Sequence, residues 1–293
     1  MKMIEAAIIG TTASGKTALS LDIANKTNSI ILSLDSLCVY RDIDIASAKP
    51  TKEERGDITH FGIDEVFPNE NFDVVEFLNL YKKAKNFAEE NSKNLIIVGG
   101  TGFYLKALID GLSDGLNTNY NLDLPLDEAY KLLYSLDEAY MKRIESNDRY
   151  RVEKAYSIYK QTNLTPTQYF IENPKKALAP NLKIFEIQRD KEELKKRVIL
   201  RTKQMLHDGL IDETIFLEKK YTRAPNCMKS IGIIEVLEYL DGKIDKKQLE
   251  EKIILNTMKL AKRQNTFSNG QFKDKEQMII SSLNSEIIKY FKI

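Results

Sequence analysis

Residues 8–17 read Ile-Ile-Gly-Thr-Thr-Ala-Ser-Gly-Lys-Thr, and no other stretch limits the possible folds as tightly. Gly10, Gly15, Lys16 and Thr17 fit G-x-x-x-x-G-K-[ST], the phosphate-binding loop. The glycines let the backbone curl so that its N–H groups converge on phosphate oxygens. Lys16 adds a point charge, the Thr17 hydroxyl can ligate Mg²⁺, and the following helix turns its positive end to the anion. The flanks suit the motif. Ala6-Ala7-Ile8-Ile9 is an apolar run that reads as a buried strand, and Ala18, Leu19, Leu21, Ile23 and Ala24 recur as on a helix. A strand, a loop and a helix in this order imply a parallel α/β sheet and a bound di- or triphosphate. They leave open what happens to that phosphate.

The other bounds are broad. The 293 residues suffice for one large domain or two modest ones, and 42 % hydrophobic with 30 % charged residues is ordinary for a globular chain. No apolar stretch approaches the roughly 18 residues of a membrane span, and the N-terminal segment does not read as a signal peptide. Two cysteines and two histidines make neither a disulfide framework nor a zinc site, so a reducing cytoplasm is expected. The net charge of +1 neither requires nor excludes nucleic acid, which would need a local basic face.

Along the chain, residues 29–34 read as a second strand, ending at Asp35-Ser36. Strand carboxyl ends line the ligand crevice of an open parallel sheet. Asp35 is therefore a magnesium ligand, a catalytic base or a turn cap. Residues 40–50 read as a loop over the crevice, and residues 51–54 have the spacing of a helix capping box. Asn71 is expected to open a long amphipathic helix. Residues 95–98 form a continuous apolar run, expected as a central strand, and end in Gly99-Gly100-Thr101, which offers close backbone approach and a hydroxyl. From residue 111 the composition turns to Gly, Asn, Asp and Ser, then to helical patterns over residues 127–145 and 148–161. This reads as a helical insertion, 112–179, within a core of 1–111 and 180–293. Arg151 and Lys154 share one face of the second insert helix. A strand near residues 182–187, a helix capped by Asp190 and carrying Arg197, Arg201 and Met205, and helices over 228–240 and 246–263 follow.

Read together, these segments resemble the tRNA dimethylallyltransferase family. The matching pieces run the length of the chain: GTTASGKT (10–17), LDSLCVY (34–40), DIASAKP (44–50), GGTGFYLKALIDGL (99–112), Asn147-Asp148 with Arg151, RVILRTKQMLHDGL (197–210), KSIG (229–232) and LAKRQNTF (260–267). The resemblance implies a P-loop core with a helical insert that clamps tRNA. It further implies dimethylallyl diphosphate as donor, Mg²⁺ as cofactor and the anticodon loop as target. It places the donor's diphosphate on Gly10, Thr11, Thr12, Ala13, Ser14, Gly15, Lys16 and Thr17, with Thr17 also at the metal. It makes Asp35 the general base and sets Thr101 and Lys229 at the diphosphate. Asp35, Ser36, Leu37 and Cys38, with Arg151 and Lys154, are similar to tRNA-contacting segments. A cytoplasmic monomer is expected.

The chain departs from the family at several positions. Lys229 and Lys154 stand where Arg is usual, Ala46 where Gly is, Phe267 and Asn269 where Trp and Arg are. Gly232-Ile233-Ile234-Glu235 replaces a Gly-Tyr-basic run. The competing reading is an ATP-binding P-loop kinase of a small metabolite, which would use the same loop and have Asp35 activate a hydroxyl. A P-loop switch lacks its guanine-specificity run here.

Overall fold

The computed structural model describes residues 3–113 and 122–292, so part of the Gly/Asn-rich stretch noted above, 114–121, lies outside the described residues. The chain divides into two compact units. Unit 1 comprises Met1–Lys106 and Asn181–Ile293, and unit 2 comprises Ala107–Pro180.

Unit 1 is built on a parallel sheet. Among the described residues it has six strands, β1 (Glu5–Ile9), β2 (Ser29–Leu34), β3 (His60–Phe61), β4 (Asn94–Gly99), β5 (Lys183–Ile187) and β6 (Glu276–Met278), in the order β3-β2-β4-β1-β5-β6. β1 pairs with β4 on one side, Ile9 opposite Gly99, and with β5 on the other, Ile9 opposite Glu186. The order reverses at β1, so the switch-point crevice opens at its carboxyl end, where residues 10–17 begin. Strands covered on both faces should read as unbroken apolar runs. Ala6, Ala7, Ile8, Ile30, Leu32, Leu95, Ile96 and Ile97 are accordingly buried.

The helices of unit 1 are α1 (Lys16–Thr27), α2 (Lys52–Arg55), α3 (Val74–Glu90) and α4 (Gly102–Asp110), the last running into unit 2. The capping box at Thr51 forms as expected, with the Glu54 N–H on the Thr51 hydroxyl and the Thr51 N–H on the Glu54 carboxylate. The long helix starts at Val74 rather than Asn71, because the Asp73 carboxylate accepts the Val75 and Glu76 N–H groups.

Unit 2 holds α5 (Leu126–Leu136), α6 (Glu138–Met141), α7 (Arg149–Thr162) and α8 (Pro166–Glu172). The helix expected over 127–145 is split at Asp137. Its carboxylate accepts the Tyr140 N–H, and also the N–H and hydroxyl of Thr167. Ala129, Leu133, Met141, Val152, Ala155 and Tyr156 form a core of its own.

Unit 1 resumes with α9 (Lys191–His207), α10 (Leu210–Tyr221), a 3₁₀ turn (Asn226–Lys229), α11 (Ile233–Leu240), α12 (Lys246–Gln271) and α13 (Ile280–Phe291). Asp190 caps α9 as expected. The helix expected from residue 228 begins only at Ile233, and that expected to end at residue 263 runs on to Gln271. Strand β6 and α13 complete the sheet and its cover. Leu283, Ile287 and Phe291 pack with Leu19, Ile23 and Phe185, each fully buried aliphatic side chain contributing roughly 1.5–3 kcal/mol. A second cluster joins Val39, Tyr40 and Ile43 to Leu210, Leu217, Met228, Val236 and Ile253.

Candidate active site

The phosphate loop leaves β1 at Gly10 and enters α1 at Lys16. Gly15 has φ +99°, and a Cβ there would stand 3.0 Å from Ile280 Cδ1, so only glycine fits. Ala13 accepts a left-handed φ of 61° at the turn. Lys16 Nζ donates to the carbonyls of Gly10 at 2.9 Å and Thr11 at 2.7 Å. Burial pulls its pKa down to about 8, while the Asp35 carboxylate pulls it up and Arg201 pulls it down. The Ser14 hydroxyl is buried with no hydrogen-bond partner among the described residues, and Thr17 is exposed at the start of α1.

Asp35 follows β2. Its Oδ1 accepts the N–H groups of Leu37 at 2.8 Å and Cys38 at 3.3 Å, so one oxygen caps the turn that carries the chain onward. The Gly-Gly-Thr turn after β4 is tied to the same place. The N–H groups of Gly100 and Thr101 donate to the Leu34 carbonyl, and the Ser36 N–H donates to Thr101 Oγ1 at 3.2 Å. The ends of three neighbouring strands thus bring Lys16, Asp35 and Thr101 to one crevice. Within residues 35–38, Ser36 is exposed, Asp35 and Leu37 are half-buried, and Cys38 is turned inward. Burial, with the Asp35 charge beside it, pushes the Cys38 thiol well above its ordinary pKa, so the thiol stays protonated.

The loop over the crevice, residues 40–50, is pinned from two sides. Glu213 of α10 accepts three successive backbone N–H groups, those of Asp44, Ile45 and Ala46, at 2.8, 2.7 and 2.9 Å. Burial raises the Glu213 pKa, and the three amides oppose that shift. The Lys49 ammonium meets Asp44 and Asp64 at 2.8 and 2.5 Å, and donates to the Tyr40 carbonyl. Between this loop and α9 lies a groove of about 500 Å³, with Ile45, Ala48, Pro50 and Met205 as apolar walls and Arg201 at its side.

Arg201 is visible in the sequence as one member of a helical repeat within the family-like segment 197–210, with no role attached to it. It is half-buried on α9, and among the described residues it makes no hydrogen bond or ion pair. Burial lowers its pKa and the Asp35 carboxylate opposes that shift, which puts a guanidinium beside the same carboxylate as Lys16. Lys229 is exposed at the end of the 3₁₀ turn, with its neighbours Cys227 and Met228 packed in the cluster that holds Val39 and Tyr40. Arg223, the nearest basic residue before it, is occupied by Asp241 at 2.9 and 2.7 Å and by Glu218. In unit 2, Arg151 is exposed on α7 and pairs with Asp148, and Lys154 lies over the Tyr150 ring at 5.5 Å. Phe267 covers Gly102, where a Cβ would fall 2.6 Å from its ring. Asn269 Oδ1 accepts a hydrogen bond from Lys275 at 2.6 Å, and Lys275 in turn pairs with buried Glu186 at 2.6 Å.

A phosphate loop at the switch point of a parallel sheet, with a carboxylate and a hydroxyl at the next two strand ends, defines a P-loop α/β enzyme core. The IPP transferase family model matches residues 38–271. The chain is 72 % identical over 291 residues to the tRNA dimethylallyltransferase of Aliarcobacter butzleri, covering 99 % of this chain and 100 % of that one. It is 49 % identical to that of a Sulfurovum species, covering 97 % of each. The crystal structure of the tRNA isopentenylpyrophosphate transferase of Bacillus halodurans superposes with a TM-score of 0.74 at 27 % identity, covering 99 % of this chain and 97 % of that one. A eukaryotic dimethylallyltransferase acting on tRNA gives 0.84 at 25 %, covering 96 % and 74 %. The chain belongs to the IPP transferase family. The resemblance read from the sequence, and the parallel α/β fold, are borne out. Among the described residues no helix is long and apolar enough to cross a membrane.

Proposed function

We infer that this chain transfers the dimethylallyl group of dimethylallyl diphosphate to the exocyclic amine of the adenine just 3′ of a tRNA anticodon, releasing diphosphate. The observation that carries this reading is the placing of Lys16, Asp35 and Thr101 at the carboxyl ends of three neighbouring strands, in a chain of this family. The amine is a weak nucleophile because its lone pair is delocalised into the ring. As the C–N bond forms, the free oxygen of Asp35 accepts the amine proton. The allylic C–O bond breaks, and the electron pair leaves with the diphosphate. Lys16, Arg201, Thr101 and those amides of the phosphate loop that are not bonded within the protein stabilise the charge that grows there, with Lys229 as a further cation. The apolar side chains of Ile45, Ala48, Pro50 and Met205 in the otherwise polar groove beside Arg201 offer a surface for a five-carbon tail.

Mg²⁺ fits this arrangement. Among the described residues no cluster of three or more His, Cys, Asp or Glu makes a cage. The exposed Thr17 hydroxyl at the loop is the one oxygen ligand the motif supplies, which suits an ion carried mainly by phosphate oxygens and water. When bound, it neutralises charge on the leaving diphosphate. The adenine must leave its stack to reach Asp35. Residues 35–38, with Arg151 and Lys154 of the insertion, are assigned to the tRNA.

Incubation with bulk tRNA and either labelled dimethylallyl diphosphate or γ-labelled ATP tests the reading. Label entering tRNA from the prenyl donor alone is expected. Phosphoryl transfer from ATP without prenyl transfer would overturn it in favour of a kinase.

A further inference from the structure

Three successive residues of the phosphate loop are gripped from outside by three side chains that do not belong to it. The Thr12 N–H donates to Gln264 Oε1 of α12 at 2.8 Å. The Ala13 carbonyl accepts Arg197 Nε of α9 at 2.7 Å. The Ser14 carbonyl accepts Arg189 Nε, on the segment between β5 and α9, at 2.9 Å. Gln264 also donates to the Gly100 carbonyl at 3.2 Å, so its amide joins the β1 and β4 turns. Gly100 leaves room for it, since a Cβ there would fall 2.4 Å from Gln264 Nε2. Arg189 is held in turn by Glu193.

We propose that Gln264, Arg197 and Arg189 are positioning residues that fix the loop's amides for the diphosphate. In a trans peptide the C=O and N–H point in opposite directions. The Ser14 N–H is itself taken by the Thr11 carbonyl at 3.2 Å, which closes the turn, and holding the Ser14 carbonyl outward aims the Gly15 N–H into it. The outer face at Gly15 is already filled: a Cβ there would lie 3.4 Å from Arg189 Nη2 and 3.5 Å from Arg197 Nη2. A left-handed Ala13 is a costly backbone that surrounding contacts must enforce. A loop ordered beforehand loses less entropy when the anion binds, and its dipoles need no rearrangement as charge develops. This inference rests on the reading that the loop holds a diphosphate.

Calorimetric titration of inorganic diphosphate with Mg²⁺ into the full chain tests it, with Lys16→Ala as the control for the site. Arg197→Ala is expected to raise Kd about tenfold, in line with the loss of one charged hydrogen bond, and Arg197→Lys to recover most of that. Gln264→Met changes no charge, yet should raise Kd several-fold, equally at low and high salt, as a through-space charge effect would not. It should also lower the single-turnover transfer rate. If Arg197→Ala fails to fold, Gln264→Met alone decides. Kd unchanged in Gln264→Met and Arg197→Ala, with binding lost in Lys16→Ala, would overturn the inference and leave the functional reading intact. No diphosphate binding by the unaltered chain would overturn both.

Discussion

Asp35→Asn isolates the base from the turn it caps. Oδ1 accepts the Leu37 and Cys38 amides at 2.8 and 3.3 Å, and an asparagine carbonyl accepts them equally well. The turn, and with it the Ser36–Thr101 bond, should therefore persist. What is lost is the second oxygen as a proton acceptor, replaced by an amide NH₂. A general base typically supplies about 10²–10⁴-fold, so the single-turnover rate should fall by that factor. Asp35 is also the main influence holding the Lys16 pKa up, so its removal lowers that pKa further below about 8, and the variant should be compared with the parent at acid pH as well as near pH 7. Binding of the donor should hold or tighten, because a carboxylate near the diphosphate has been removed. Asp35→Ala completes the test: it should lose the same rate and in addition about 1 kcal/mol of stability, the usual cost of a lost cap. The assay is transfer of label to tRNA at saturating donor, with thermal melting beside it. A rate in Asp35→Asn within about threefold of the parent would refute the base assignment, since no Brønsted argument yields so little.

Other expectations follow from the same geometry. Because burial lowers the Lys16 pKa to about 8, the amine is neutral above that pH and must regain a proton to meet the anion. Diphosphate Kd should therefore rise by up to tenfold per unit above this value, and Lys16→Arg should flatten the profile; a flat profile in the parent would sink the assignment. Lys229→Ala should lower the transfer rate roughly tenfold with tRNA affinity unchanged, and its exposed position predicts a melting temperature close to the parent's. An unaltered rate would remove Lys229 from the site. Glu213→Ala frees three amides of the crevice loop at once and should cost about 2–4 kcal/mol in denaturant melts, while Glu213→Gln, which keeps one oxygen acceptor, should cost less. Equal stability of both variants and the parent would show that the loop holds itself.

The parts legible in the sequence were those whose cause is local. The strand, loop and helix around Gly10–Thr17 are specified within a dozen residues, as are the Thr51 and Asp190 caps. Asp35 and Thr101 could be placed because strand ends in a parallel sheet share one edge. Where a distant partner decides, the reading failed. Asp137 breaks a helix partly because Thr167, thirty residues on, needs its carboxylate. α12 continues past Arg263 through weak helix formers because Phe267 rests on Gly102 and the Ser268 hydroxyl accepts a hydrogen bond from Lys275. The charged edge strand β6 has no apolar alternation to betray it. Arg201 and Gln264 lie within segments that resemble the family, but the part each plays depends on residues far away in sequence.

The sheet order has a consequence for how the chain comes off the ribosome. β1 is synthesised first but sits at the centre, and its partners lie far downstream: Gly99 opposite Ile9 on one side and Glu186 on the other. At about 5–20 residues per second, the second edge of β1 waits on the order of ten seconds or more for its neighbour. Throughout that interval Ala6, Ala7, Ile8 and Ile9 form an apolar segment with unmet backbone groups, the kind of segment that pairs with the wrong strand. Parallel pairings at this separation also fold slowly once the chain is complete. Yield of active protein should therefore depend on translation speed and chaperone supply more steeply than the stability of the finished fold would suggest, and pulse-labelled nascent chains stalled before residue 183 should bind a holdase through their first ten residues.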